Sequence, residues 1–168
     1  MYEIIRLFYD ITLFKKGPQD VPFSPFLTRI TLLVYAFISF VMLFMQDYWL
    51  IAILKMGLDI VLLVLFTRLS LAWIHKSERY LQTLCALLGT DALITLAAIP
   101  ASAVMLVPSN DIAVLAFFTV IGLMLWHWAV IGYILHQALE QPLGFSLGLA
   151  LLYVMANYLV IGFLFTSL

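Results

Sequence analysis

Charge is the scarcest property of this chain. Its 168 residues are only 10% charged, where a soluble domain carries about 25%. Cysteine occurs once, as Cys85, so no internal disulfide can form. That excludes the dithiol chemistry of membrane thiol oxidoreductases, which needs cysteine pairs. The net charge of −1 provides no polybasic field, and nucleic acid is not expected as a partner. The sequence contains no H-E-x-x-H string, no phosphate-cradling glycine loop and no Cys/His cluster, so neither a metal nor a cofactor is expected. The polar stretches are too short for a soluble active site. A cleavable signal is not expected either, because Glu3, Arg6 and Asp10 interrupt the apolar start.

Apolar residues fill the space that charge leaves. They make up 65% of the chain, and the mean hydropathy is +1.14. A core of this size cannot hide so much apolar surface, so lipid must cover it. Five stretches each meet the requirement of roughly 20 mainly apolar residues for a bilayer crossing. They run over about 26–45, 48–73, 80–107, 112–135 and 143–168. The breaks at Gln46-Asp47, 75–79, 108–111 and 140–142 are short, which implies antiparallel neighbours. Ahead of them, Tyr2 to Lys16 has Ile4, Leu7, Phe8, Ile11 and Phe14 on one helical side, with Glu3, Arg6, Asp10 and Lys16 mostly on the other. This pattern predicts an amphipathic helix lying in the membrane interface. The connector "GPQDVPFSP", with Pro18, Pro22 and Pro25, should be extended and stiff. The expected fold is an all-α integral membrane protein, with an interfacial segment over 1–25 and a five-helix bundle over 26–168.

Orientation follows from the basic residues. Arg6, Lys15, Lys16, Arg29, Arg68, Lys76 and Arg79 all fall at one side of a five-span layout, and only Lys55 does not. The positive-inside rule then places the amino terminus in the cytoplasm and the carboxyl terminus outside, in a bacterial inner membrane.

Ionisable groups in mid-membrane cost at least ~2.5–3.5 kcal/mol each on insertion scales, so each needs a reason. Asp59 and Asp91 lie in the middle of spans two and three, roughly 16 Å from a span end at 1.5 Å per residue. Lys55, one turn from Asp59, can pair with it, reach Asp91 or extend outward. His127 and Asn157 complete a candidate intramembrane polar cluster of Lys55, Asp59, Asp91, His127 and Asn157. Such a cluster can be a relay, a headgroup pocket or simply the polar contact that fixes helix register. His75 and His136 lie near span ends, away from His127, which argues against bis-histidine haem. The string "GFSLG" matches G-x-S-x-G, but that motif works only as a strained strand-to-helix turn. Gly144 and Gly148 also form a GxxxG pattern suited to close helix packing, and Ala97 and Ala101 belong to a similar small-residue face. Pro100 should kink span three.

The segments "LLGTDALITLAAIP" and "ALEQPLGFSLGLALLYV", with the five-span layout, resemble Yip-type (Ypt-interacting) membrane proteins and small proteobacterial inner-membrane proteins of that kind. The resemblance implies five packed spans, and in eukaryotic members membrane shaping and recruitment of small GTPases. No catalytic residues carry over. Together these readings favour a non-enzymatic scaffold or accessory subunit that binds lipids, other membrane proteins or itself, with residues 1–25 as its docking surface. The alternatives are a small transporter or proton-coupled conduit using Asp59, Asp91 and Lys55, and a lipid-modifying enzyme with its lipid beside His127 and Asn157.

Overall fold

A computed structural model describes residues 2–107 and 112–165. Six α-helices account for most of them: α1 (Tyr2–Thr12), α2 (Pro25–Phe44), α3 (Trp49–Trp73), α4 (Tyr80–Met105), α5 (Ala113–Leu139) and α6 (Leu143–Phe165). No strand occurs among the described residues. α2 to α6 are all long and apolar enough to cross a membrane. The expected break at Pro108 to Asp111 lies outside the described residues.

Local chemistry sets the helix ends. Pro25 occupies the first turn of α2, and Ser24 caps it by accepting a hydrogen bond from the Leu27 N–H. α1 stops at Thr12, earlier than the pattern of its apolar residues suggests. Phe14 takes a left-handed conformation, φ 59°, and the Lys15 N–H closes onto the Asp10 carbonyl at 2.9 Å. This is the helix-terminating geometry in which glycine is usual. His75 ends α3 in the same way, with the Lys76 N–H on the Leu71 carbonyl. α5 runs four residues past the expected Leu135. Ala138 and Leu139 are buried, and the Arg79 guanidinium donates to the carbonyls of Gln137 and Ala138. α4 continues through Pro100 as one helix.

α4 is the central element, packed against α2 on one side and α5 on the other. α6 lies against α5, while α3 runs along α2 and touches α4 and α6. The packing is lopsided. In α4 every residue from Thr83 to Ala92 is buried, but beyond Ala92 only Ser102 is. In α5 the buried residues cluster from Val130 to Leu139, with Ala116 alone in the first half. In α6 they are Ser146, Ala150 and Tyr153, all in the first part. The bundle is therefore solid at the end that carries the basic residues and loose at the other.

The amino-terminal segment does not lie free of the bundle. Leu7, Phe8 and Ile11 of α1 are buried, and α1 packs on α4. The Phe8 ring occupies the space beside Gly89 where any Cβ would sit. The connector holds a one-turn 3-10 helix, Pro18–Asp20, rather than being extended throughout. Val21 is fully buried, and its carbonyl accepts from the Gln82 side chain at 2.8 Å. One side of α1 is thus buried on the bundle, while Tyr2, Ile5, Tyr9 and Phe23 stay exposed. Packing the apolar side of this amphipathic helix on its own bundle removes that side from water.

Candidate functional site

Each of the five long helices contributes at least one polar side chain to a single cavity, and one from each meets at its floor. These are Tyr35 from α2, Asp59 from α3, Asp91 from α4, His127 from α5 and Asn157 from α6. The cavity has a volume of about 610 Å³, within the range of small-molecule pockets. Its lining begins at Gln46, Asp47, Met105 and Leu106, at the loose end of the bundle. Ser39, Met42, Ser102, Met124, Tyr158 and Ile161 form the walls above the polar floor, and Tyr153 and Val154 line it from the basic side.

The floor is two hydrogen-bonded sets. Tyr35 Oη donates to Asp59 Oδ2, and Asn157 Nδ2 donates to Asp59 Oδ1 at 2.7 Å. Both carboxylate oxygens of Asp59 therefore accept from neutral donors. Asp91 Oδ1 bonds to His127 Nε2. Asp91 is buried, whereas His127 presents about a third of its side chain. Helical spacing puts Asp59 roughly 15 Å below the start of α3, at 1.5 Å per residue. Below the floor, Leu84, Leu87, Leu88, Ile131, Ile134 and Leu135 form dry core. The cavity ends there.

The structure unites four of the five expected cluster residues and parts the fifth. Lys55 Nζ reaches outward and bonds Asp47 Oδ2 at 2.7 Å, with the Phe165 ring 5.7 Å away. Of the options open to it, Lys55 takes the extended one. Two turns of helix bring the flexible amine to the more polar end of the span, where both charges keep access to solvent. It lines the mouth of the cavity, not the floor.

The small-residue expectations fare differently. A Cβ added at Gly144 or Gly148 would meet nothing within 4 Å, and Ala97 is exposed with Ala101 only half-buried. Close approach occurs instead at Gly132, where a Cβ would lie 2.5 Å from Leu147 Cδ2 and 3.2 Å from its Cα. Trp128 Nε1 donates to the Leu147 carbonyl at 3.0 Å and fixes the same crossing. The "GFSLG" string forms the opening turns of α6, so Ser146 lies in a helix and not on a strand-to-helix elbow.

Sequence reasoning missed Tyr35 and Tyr153. A signal existed for the first. Tyr48, Trp49, Trp73 and Tyr80 stand at span ends, as membrane interfaces favour, but Tyr35 stands at the centre of α2 with no charge near it in sequence. At the basic end, Glu140 bonds both Lys76 and Arg79, the latter at 2.6 Å. These two cations hold its carboxyl below the usual carboxylate range.

No family model matches the chain, and no curated protein or solved structure is significantly similar to it.

Proposed function

We propose that this chain is a multi-pass protein of a bacterial inner membrane that binds a small ligand in its central cavity without chemically transforming it. The observation that carries the reading is the convergence of one polar side chain from every long helix on the floor of one cavity. Polar groups placed only to fix register would be expected to pair in a filled core. Here they pair from helix to helix and also border open space. Under the positive-inside rule the basic end is cytoplasmic, so the mouth at Gln46 and Asp47 faces outward. Binding of lipids or other membrane proteins by the outer faces, and kinship with Yip-type proteins, belong to the same proposal and rest on layout. Passage through the bundle would require the dry layer around Leu87, Leu88 and Ile134 to open, so the geometry favours a receptor or the outward state of a carrier over a standing conduit.

Accessibility tests this directly. In a Cys85→Ser background, Ser39→Cys and Thr95→Cys, both in the cavity lining, should react with a membrane-impermeant thiol reagent added outside spheroplasts. Thr90→Cys, in the packed half, should not. Failure of both cavity cysteines to react would end the reading, and reaction only from the cytoplasmic side would reverse the orientation.

A further inference from the structure

The geometry points to an organic cation, an ammonium carried on an apolar body, as the cavity's ligand, with Asp59 as its counter-charge. This inference rests on the ligand-binding reading above and names the chemistry of that site.

The charges of the lining do not balance. Three carboxylates border the cavity: Asp47, Asp59 and Asp91. Lys55 is the only lysine among the lining residues, which include no arginine, and Asp47 holds its amine at the mouth. His127 can neutralise one carboxylate, and it bonds Asp91. Asp59 is left with Tyr35 and Asn157, two neutral donors. Donors to both oxygens suit the ionised carboxylate, which only accepts. Ionised at this depth, with no counter-ion of its own, Asp59 would give the floor a net negative charge in a low-dielectric surround. A cation entering the cavity would complete the pair.

The shape argues for an organic cation over a metal ion. No group of three or more metal-ligating side chains converges among the described residues, and hard cations demand a close shell of about six oxygens. The cavity is some twenty times the roughly 30 Å³ share of one water, too large to grip a bare ion. Its walls carry the surface an amine's apolar body needs: Met42, Met124, Val154 and Ile161. Tyr158, exposed in the lining, adds an aromatic side chain of the kind that attracts ammonium groups. Anionic ligands would meet Asp47, Asp59 and Asp91 in succession.

Charge-selective labelling is the test. Full-length Ser39→Cys/Cys85→Ser protein is reacted with two methanethiosulfonates of similar size, one bearing trimethylammonium and one sulfonate. The negative floor should favour the cationic reagent about tenfold or more. Adding Asp59→Asn should collapse that preference towards the value found at Gln46→Cys at the mouth. If Asp59→Asn does not fold, the rise in preference from Gln46→Cys to Ser39→Cys carries the same test. Equal rates for both reagents at Ser39→Cys, or a preference unchanged by Asp59→Asn, would overturn the cation while leaving the cavity intact. No labelling at all would instead remove the cavity reading. The ammonium could come from a solute or from a lipid headgroup. A drop in cationic labelling at Ser39→Cys relative to Gln46→Cys, on going from pure phosphatidylglycerol nanodiscs to ones containing phosphatidylethanolamine, assigns it to the headgroup, the mouth position correcting for the surface potential. An equal ratio in both discs, with slowing by soluble tetraethylammonium, assigns it to a solute. Protection by neither overturns the cation.

Discussion

The two ends of this bundle use the same kind of helix to opposite effect. Towards the basic end, α4 is buried on all sides from Thr83 to Ala92, and α1, Val21 and the second half of α5 close around it. Towards the other end the same helix keeps only Ser102 buried, and a cavity takes the place of a core. The composition of the helices does not change much between the halves. What changes is what surrounds α4. The amino-terminal segment adds a layer only at the basic end, and the residues lining the opposite end meet space. A polar tier of Tyr35, Asp59, Asp91, His127 and Asn157 marks the boundary. One half is built for stability, and the other keeps room for an occupant.

Truncations on either side of that tier should break the comparison most sharply. Leu87→Ala or Leu88→Ala, both fully buried, should cost about 2–5 kcal/mol through lost contacts and a residual void. Leu96→Ala, 52% exposed in the other half of the same helix, should stay within about 0.5 kcal/mol. Unfolding in a mixed-detergent titration measures both, and equal losses would abolish the distinction between the halves.

Overpacking gives the next effect. Gly132→Leu must displace Leu147 and should cost about 1–3 kcal/mol. Gly144→Ala and Gly148→Ala, which face open space, should be neutral within about 0.5 kcal/mol. A large loss at Gly148 would mean that the GxxxG face is covered by something outside the chain, and crosslinking would then detect it.

At the boundary, Tyr35→Phe removes one of the two donors to Asp59. It should cost about 0.5–1.5 kcal/mol, the range for interhelical hydrogen bonds in membranes. No change would show that Asp59 is stabilised in some other way.

The smallest effect is an electrostatic one. Glu140 is held below its ordinary value by Lys76 and Arg79. A depressed carboxylate contributes its full stabilisation above the unfolded value and loses it as pH falls through the folded one. Stability should therefore decline slightly on the acid side of the usual carboxylate range. The Glu140→Gln curve should lie just below wild type at neutral pH and merge with it in acid, and added salt should narrow the gap.

The ends of α2 and α3 and the start of α6 could be read closely from the chain, because prolines and polar breaks interrupt long apolar runs in ways that leave few alternatives. Asp59, Asp91, His127 and Asn157 were legible as a group for a related reason: an ionisable or amide side chain in mid-span is rare enough to mark itself. Lys55 stayed open between three positions because spacing along one helix offers several partners at once. Asp59 at four residues and Asp47 at eight are both within reach of a long amine, and the choice depends on where the rest of the bundle lets water in. Gly144 and Gly148 misled because a GxxxG string states only that close packing is possible there. The approach occurs at Gly132, where Trp128 pins α6 by its Leu147 carbonyl.

The charge deficit with which this chain is written thus determined, by itself, a bundle of five helices each able to span a bilayer, and gathered seven of eight basic residues at one end. Hydrophobic length and charge placement are properties of each segment alone, so no neighbour is needed to read them. Which residues pair, which glycine is crowded and where a cavity opens were decided only when the helices met. Those outcomes depend on the rotation and depth of each helix against the others, and a rotation of a few tens of degrees moves a side chain from the core to the lipid.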